Sequence, residues 1–243
     1  MLPYLYQWRG NFAALLLLGI TSLVMTIMFI DKDKIVVKPK KLSFGGYKHL
    51  LQSKTLLLLL SYIILMTIPY WVFVGMSPLL YIRSLHVNLH YFGFYQGILA
   101  FTFAIGSIVF GLIINRYRSR TWLTASLFAY ALSFIMIVCV TVFYKHNPLL
   151  ITLAMLIFVI AQIIPSAILW PLCLNFIPEA KAKIAGLQQA GRLIFSALAL
   201  QIAGYFYHGS FKETGAIIAL FIFLIIIAQI CVLKNKKVFM VKT

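Results

Sequence analysis

The sequence predicts an all-α polytopic membrane protein, a bundle of about seven transmembrane helices. Two observations carry this. The 243 residues are 63% hydrophobic with a mean hydropathy of +1.00, and only 10% are charged, where a soluble domain carries about 25%. The apolar residues also gather into seven long runs, 12–30, 55–81, 91–114, 122–143, 149–174, 184–206 and 214–233. A bilayer core of about 30 Å is crossed by about 20 apolar residues in a helix. Helices span it because each satisfies its own backbone hydrogen bonds where no water is present. An outer-membrane barrel would instead show segments of about 10 residues alternating in polarity.

The first run is long for the apolar region of a signal peptide, and no small-x-small cleavage pattern follows it. It reads as a transmembrane helix over residues 1–30. Residues 31–54, "DKDKIVVKPKKLSFGGYKHLLQSK", form the one long polar segment. Its end, "HLLQSKTLLLLL", reads as an amphipathic lead continuing into the second run. Residues 55–233 hold six closely joined runs, so neighbouring helices are expected to be antiparallel, and 234–243 form a tail. One helix, a long basic loop and six helices make an uneven plan, a six-helix unit preceded by the last piece of something else.

Prolines and glycines punctuate these runs: Pro69, Gly75 and Pro78 in the second, Gly93, Gly97, Gly106 and Gly111 in the third, Pro165 and Pro171 in the fifth, Gly186 and Gly191 in the sixth. Small residues allow close helix approach and prolines allow kinks. Cys139, Cys173 and Cys231 all fall within runs and read as small buried apolar residues. No metal-ligand set and no cofactor motif is present.

The net charge of +17 is unevenly placed. With the connections alternating sides, sixteen of the 21 lysines and arginines fall on one side. They lie in 32–54, 116–120, 181–183 and 234–242. Arg9, Arg83, Lys145 and Lys212 fall on the other, and Arg192 lies inside a run. This is a strong positive-inside bias. It predicts a cytoplasmic C-terminus and an outside N-terminus in the cell (inner) membrane. The lysine run 32–41 reads as a topogenic, lipid-facing loop, with the bilayer as its partner and not nucleic acid.

The connection after the third run reads "GSIVFGLIINRYRSRTWL". It resembles the cytoplasmic loop signature of the major facilitator superfamily, here Gly111, Asn115, Arg116 and Arg120. Asn115 stands where that family prefers Asp, and Arg118 where it expects Gly. "QWRGNF" resembles the Trp-Arg-x-x-Phe segment before the sixth of the family's twelve helices. "VFVGMSPLLYIRSLHVNLHYFGFYQGILAFTFAIGS" resembles the seventh and eighth helices of its drug-efflux members, and the branch it is most similar to is the bicyclomycin-resistance (Bcr/CflA) type. The Pro-Glu-Thr often found after the sixth helix is absent. The resemblance implies a small-molecule, drug-like efflux antiporter. The chain then corresponds to the last helix of the N-terminal half and the six-helix C-terminal half. Five helices would be missing, which implies truncation, a homodimer or a partner half. Asp31, Asp33, Glu179 and Glu213 all lie in connections or at their edges, so either the missing half carries the coupling carboxylate or this chain alone does not couple to protons.

The sixth helix is expected to start near residue 182, so Arg192 lies ten residues in, about 15 Å deep at 1.5 Å per residue. A charge there faces a bundle interior or a watery cavity. Gln188 at i−4 and Gln189 at i−3 can share its face, and Ser196 continues it. Two readings stand. Arg192 lines the transport pathway, meeting substrate or carboxylates of the missing half, or it bonds helix-end carbonyls and snorkels toward the cytoplasm. Gln162 and Trp170 in the fifth run, Tyr70 and Trp71 in the second, and Gln96 in the third are further pathway candidates, though each alone reads more readily as packing. Aromatic faces suit apolar or cationic molecules.

Two other function classes are weighed. A seven-helix receptor or sensor fits the count and the outside N-terminus, but the last run has no deep lysine for retinal. The long loop after the first run is also wrong for it. An intramembrane enzyme needs paired aspartates, a Ser–His pair or HExxH at depth, and none is present, so the chain reads as no enzyme. A half-transporter inactive without a partner remains a variant of the first reading.

Overall fold

The computed structural model describes residues 7–29, 50, 52–235 and 238–239. Seven long helices are present among them: α1 (Gln7–Phe29), α2 (Lys54–Ser77), α3 (Leu89–Ile113), α4 (Ser119–Phe143), α5 (Pro148–Leu174), α6 (Lys181–Tyr205) and α7 (Phe211–Lys234). The described residues contain no strand. The chain forms two units, residues 1–43 and 44–243. The first holds α1, whose side chains from Leu15 to Phe29 are exposed. Thr21 and Thr26 donate their hydroxyls to the carbonyls of Leu17 and Ser22, one turn back in the same helix. Most of the basic 31–54 segment and of the 234–243 tail lies outside the described residues.

The second unit is a six-helix body. Its helix starts follow local chemistry. Ser53 accepts from the Leu56 amide and begins α2, so the expected amphipathic lead is interrupted by a cap instead of running on. Asn88 accepts from the His90 amide at the head of α3. Asn147 accepts from Leu149 and Leu150 ahead of α5, with Pro148 in the first turn, where its missing amide costs nothing. Ser210 caps α7 by accepting from the Lys212 amide. It follows Gly209, whose φ of +86° suits a residue without a side chain. Beyond α2, Pro78–Ser84 winds as a π-helix, widening the last turns of that helix.

Five helices are long and apolar enough to cross a membrane on those grounds alone, α2 through α5 and α7. At 25 residues α6 is also long enough. It carries Lys181, Lys183, Gln188, Gln189, Arg192 and Gln201, so its apolar character is diluted. The two ends of the body are distinct. The Asn235 amide donates to the Thr55 hydroxyl, and the Trp122 indole donates to the Ile114 carbonyl, at one end. The Ser84 and Tyr207 hydroxyls meet at 2.6 Å, and the Phe211 amide donates to the Lys145 carbonyl, at the other. Lys54, Arg116, Arg118, Arg120, Lys181 and Lys234 share the first end. Arg83, Lys145 and Lys212 share the second.

Short loops make consecutive helices antiparallel, yet they do not decide which helices touch. α2 packs on α5, α6 and α7; α4 packs on α5 and α7; α3 packs on α5. Two of these pairs, α2 with α6 and α3 with α5, run parallel. Glycines let them close. A Cβ on Gly75 would overlap Leu200, one on Gly191 would overlap Ile64, and one on Gly106 would overlap Ile163. Gly93, Gly97, Gly111 and Gly186 have no such neighbour, so they do not mark contacts within the body. Of the three cysteines, all free thiols, only Cys173 is buried; Cys139 and Cys231 are exposed on the apolar helix surface. The expectation of three buried cysteines fails because residues of α4 and α7 that face away from the body have no covering helix.

Candidate substrate cavity

α3, α5, α2 and α6 stand side by side in that order of contact and line an open hollow of about 380 Å³, a size typical of small-molecule sites. α2 contributes Met66, Thr67, Tyr70 and Trp71, and α3 contributes Ala100 and Phe103. α5 contributes Val159, Gln162, Ser166 and Trp170, and α6 contributes Arg192. The lining of α5 follows helical geometry: Gln162, Ser166 and Trp170 are four residues apart and share one face. Thr67 with Tyr70 and Trp71 does the same on α2. An adjoining hollow of about 300 Å³ lies between α2 and α6, lined by Trp71, Gly75, Arg192, Ser196 and Leu200 among others. Arg192 and Trp71 border both.

The cavity lies at mid-height. Arg192 is the twelfth residue of α6, about 17 Å from its start at 1.5 Å per residue. Its guanidinium lies over the Trp170 ring, 5.5 Å from the centroid. It donates to no backbone carbonyl among the described residues, and its Nε is buried without an acceptor. Thr67 and Ser166 donate their hydroxyls to the Ile64 and Ile163 carbonyls of their own helices, at 2.9 and 2.7 Å. Those donors are spent, and each oxygen can still accept a hydrogen bond. Gln162 is 8% exposed.

Of the pathway candidates, Arg192, Gln162, Trp170, Tyr70 and Trp71 line the one hollow. Gln188, Gln189 and Gln96 do not. Gln188 shares the face of Arg192, as does Ser196, but it is fully buried with neither amide atom partnered. Gln189 is exposed, because i−3 from Arg192 rotates it off the packed face. Gln96 is part-buried on α3 with its Nε2 unpartnered, one turn from Ala100. Thr67, Ser166, Met66 and Phe103 were missed. For Ser166 the signal was available, its fourfold spacing between Gln162 and Trp170. Gln229 was also missed. This fully buried residue of α7 accepts from the Tyr62 hydroxyl at 3.2 Å and donates to the Leu123 carbonyl and the Ser126 hydroxyl at 2.7 and 2.6 Å.

The loop signature lies at the more basic end. Gly111 closes α3; Asn115 and Arg116 sit in the 3-10 turn Ile114–Arg116; Arg120 is in the first turn of α4. All four are exposed. Trp122 holds the turn, through its indole bond to Ile114 and edge-on contacts with Phe110 and Tyr117 at 5.1 and 5.5 Å. No group of residues among those described can hold a metal ion.

A helical body with a mid-height cavity and a basic end is the architecture of a membrane transporter. No curated protein matches the chain. A family model described as the Major Facilitator Superfamily matches residues 1–200 of the 243. That match covers α1 through nearly all of α6, every helix that lines the cavity, and the chain therefore belongs to the major facilitator superfamily of transmembrane transporters.

Proposed function

We propose that the chain exports small, amphipathic, drug-like molecules as a secondary antiporter of the bicyclomycin-resistance (Bcr/CflA) type. The observation that carries this reading is the mid-height cavity, where four helices bring one cation, one buried amide and several aromatic rings to a space of small-molecule size. Transporters of this architecture rock one six-helix half against another around such a site. In this reading α2–α7 are the C-terminal half, α1 is equivalent to the family's sixth helix, and 31–54 is the central loop. A complementary half, in a second copy or another chain, closes the cavity and carries the carboxylate that couples to protons. Glu179 and Glu213, at the heads of α6 and α7, are too far from mid-height for that role. The uneven charge of the two ends supports an inner-membrane orientation with the N-terminus outside and the C-terminus in the cytoplasm.

The test is dye extrusion from energised membrane vesicles containing the full chain, alone and together with a six-helix N-terminal half of the same family. Extrusion abolished by a protonophore, and lowered at least about tenfold by Arg192→Ala at equal membrane insertion, is the expected result. Extrusion indifferent to Arg192 removes that residue from the pathway. No extrusion in either setting defeats the export reading.

A further inference from the structure

We infer that the cavity takes an organic anion, a carboxylate joined to a flat apolar body, and that Arg192 is the group that recognises its charge. This rests on the cavity being the transport site and adds the sign of the substrate.

A guanidinium is a permanent cation with five donors and no acceptor. At mid-height in a membrane such a group is costly unless paired. Arg192 has no hydrogen bond and no ion pair among the described residues, and its Nε is buried without an acceptor. Among the described residues its partner is the face of Trp170. That contact offsets part of the desolvation, and it takes up none of the N–H donors in a hydrogen bond. No acid among the described residues neutralises it. Glu179 is exposed in the turn before α6, and Glu213 sits at the start of α7, where it accepts from Ser210. Both are at helix ends, while Arg192 is at the centre of its helix. A lipid phosphate is excluded by the same depth.

The remaining lining gives the rest of the ligand. Gln162 offers a second donor to the same hollow, about two turns along α5 from the Trp170 ring under the guanidinium, while the Thr67 and Ser166 donors are spent within their own helices. Tyr70, Trp71 and Phe103 supply aromatic wall. Aromatic walls alone would favour a cation, but a cation here would stand against a fixed positive charge in a poorly screened site. The unpaired guanidinium therefore reverses the selectivity that the rings suggest, and an aromatic carboxylate satisfies both.

The test uses the full chain in lipid nanodiscs and three tritiated probes of one shape: 1-naphthoate, 1-naphthamide and 1-naphthylmethylammonium. Equilibrium binding is expected to favour naphthoate over naphthamide by about tenfold or more, the order of a charge-assisted hydrogen bond, with the ammonium weakest. Arg192→Gln should bring the naphthoate-to-naphthamide ratio to about one, and Arg192→Lys should restore part of it. Naphthoate binding no tighter than naphthamide overturns the assignment, as does a preference that survives Arg192→Gln. If Trp170→Ala still weakens all three probes in that event, the cavity remains the binding site and only the anion is lost. Absence of saturable binding by any probe removes the cavity itself, and the anion with it.

Discussion

Gln229 and Gln188 are both buried glutamines within one helical body, and they differ in every partner. Gln229 in α7 joins α2, α4 and α7 through Tyr62, Leu123 and Ser126, using both ends of its amide. Gln188 in α6 is 1% exposed, and neither end of its amide is bonded. Arg192 Nε and Ser196 Oγ, one and two turns further along the same face, are unbonded as well. A polar side chain inside a membrane protein is costly unless satisfied. On the α7 side Gln229 uses its polarity to fix packing, although Thr214 of α7 and Ser133 and Thr141 of α4 also bury unpartnered hydroxyls. On the α6 side the unpartnered groups are larger and gather on one face, an amide, a guanidinium nitrogen and a hydroxyl from Gln188 to Ser196.

The comparison can be broken by stability measurements on the full chain in nanodiscs. The largest effect is expected from Gln229→Leu. It removes three interhelical bonds at roughly 0.6 kcal/mol each in a membrane protein, so about 2 kcal/mol of stability, seen as a lower thermal midpoint. An unchanged midpoint would show that the network is not structural. Gly191→Val should cost about 1.5 kcal/mol, because the added carbons meet Ile64 and lift α6 from α2. A neutral result would mean the parallel α2–α6 contact is loose. Gln188→Leu is the sharpest test, since its sign is opposite. Removing an unpartnered buried amide should raise stability by about 1 kcal/mol. A loss as large as that of Gln229→Leu would show that Gln188 has found partners and that the two sides are alike. The smallest effect is expected from Trp122→Phe, which gives up the bond to Ile114 for about 0.6 kcal/mol while keeping the ring contacts. Lower transport with little lost stability there would point to the signature turn itself.

The helices were legible because their signal is local. The run 149–174 became α5, Pro148–Leu174, and the run 122–143 became α4, Ser119–Phe143, with the discrepancies lying in their first turns. The run 55–81 hid one feature, the change from α- to π-winding at Pro78, since apolar composition is the same in both. The site was half legible. Arg192 stands out in any apolar run by its charge, and Gln162 and Trp170 share a face by spacing. That this face and the Tyr70–Trp71 face of α2 meet the same hollow is not local. Gln188 and Gln189 are adjacent letters, yet one is buried and the other exposed, and only the direction from which α2 packs decides between them.

By itself the sequence determined the class, the helix spans, the difference in charge between the two ends and the presence of one cation at mid-height. Each follows from the cost of placing charge or unpaired backbone in a low-dielectric core, and that cost acts residue by residue. The tertiary structure decided which helices are neighbours, with α2 and α6 brought into parallel contact across glycines that the loops do not join. It decided that Gln229 is satisfied and Arg192 is not. Those outcomes depend on where the faces of separate helices meet, and a partner's position is set by packing, not by the order of the chain.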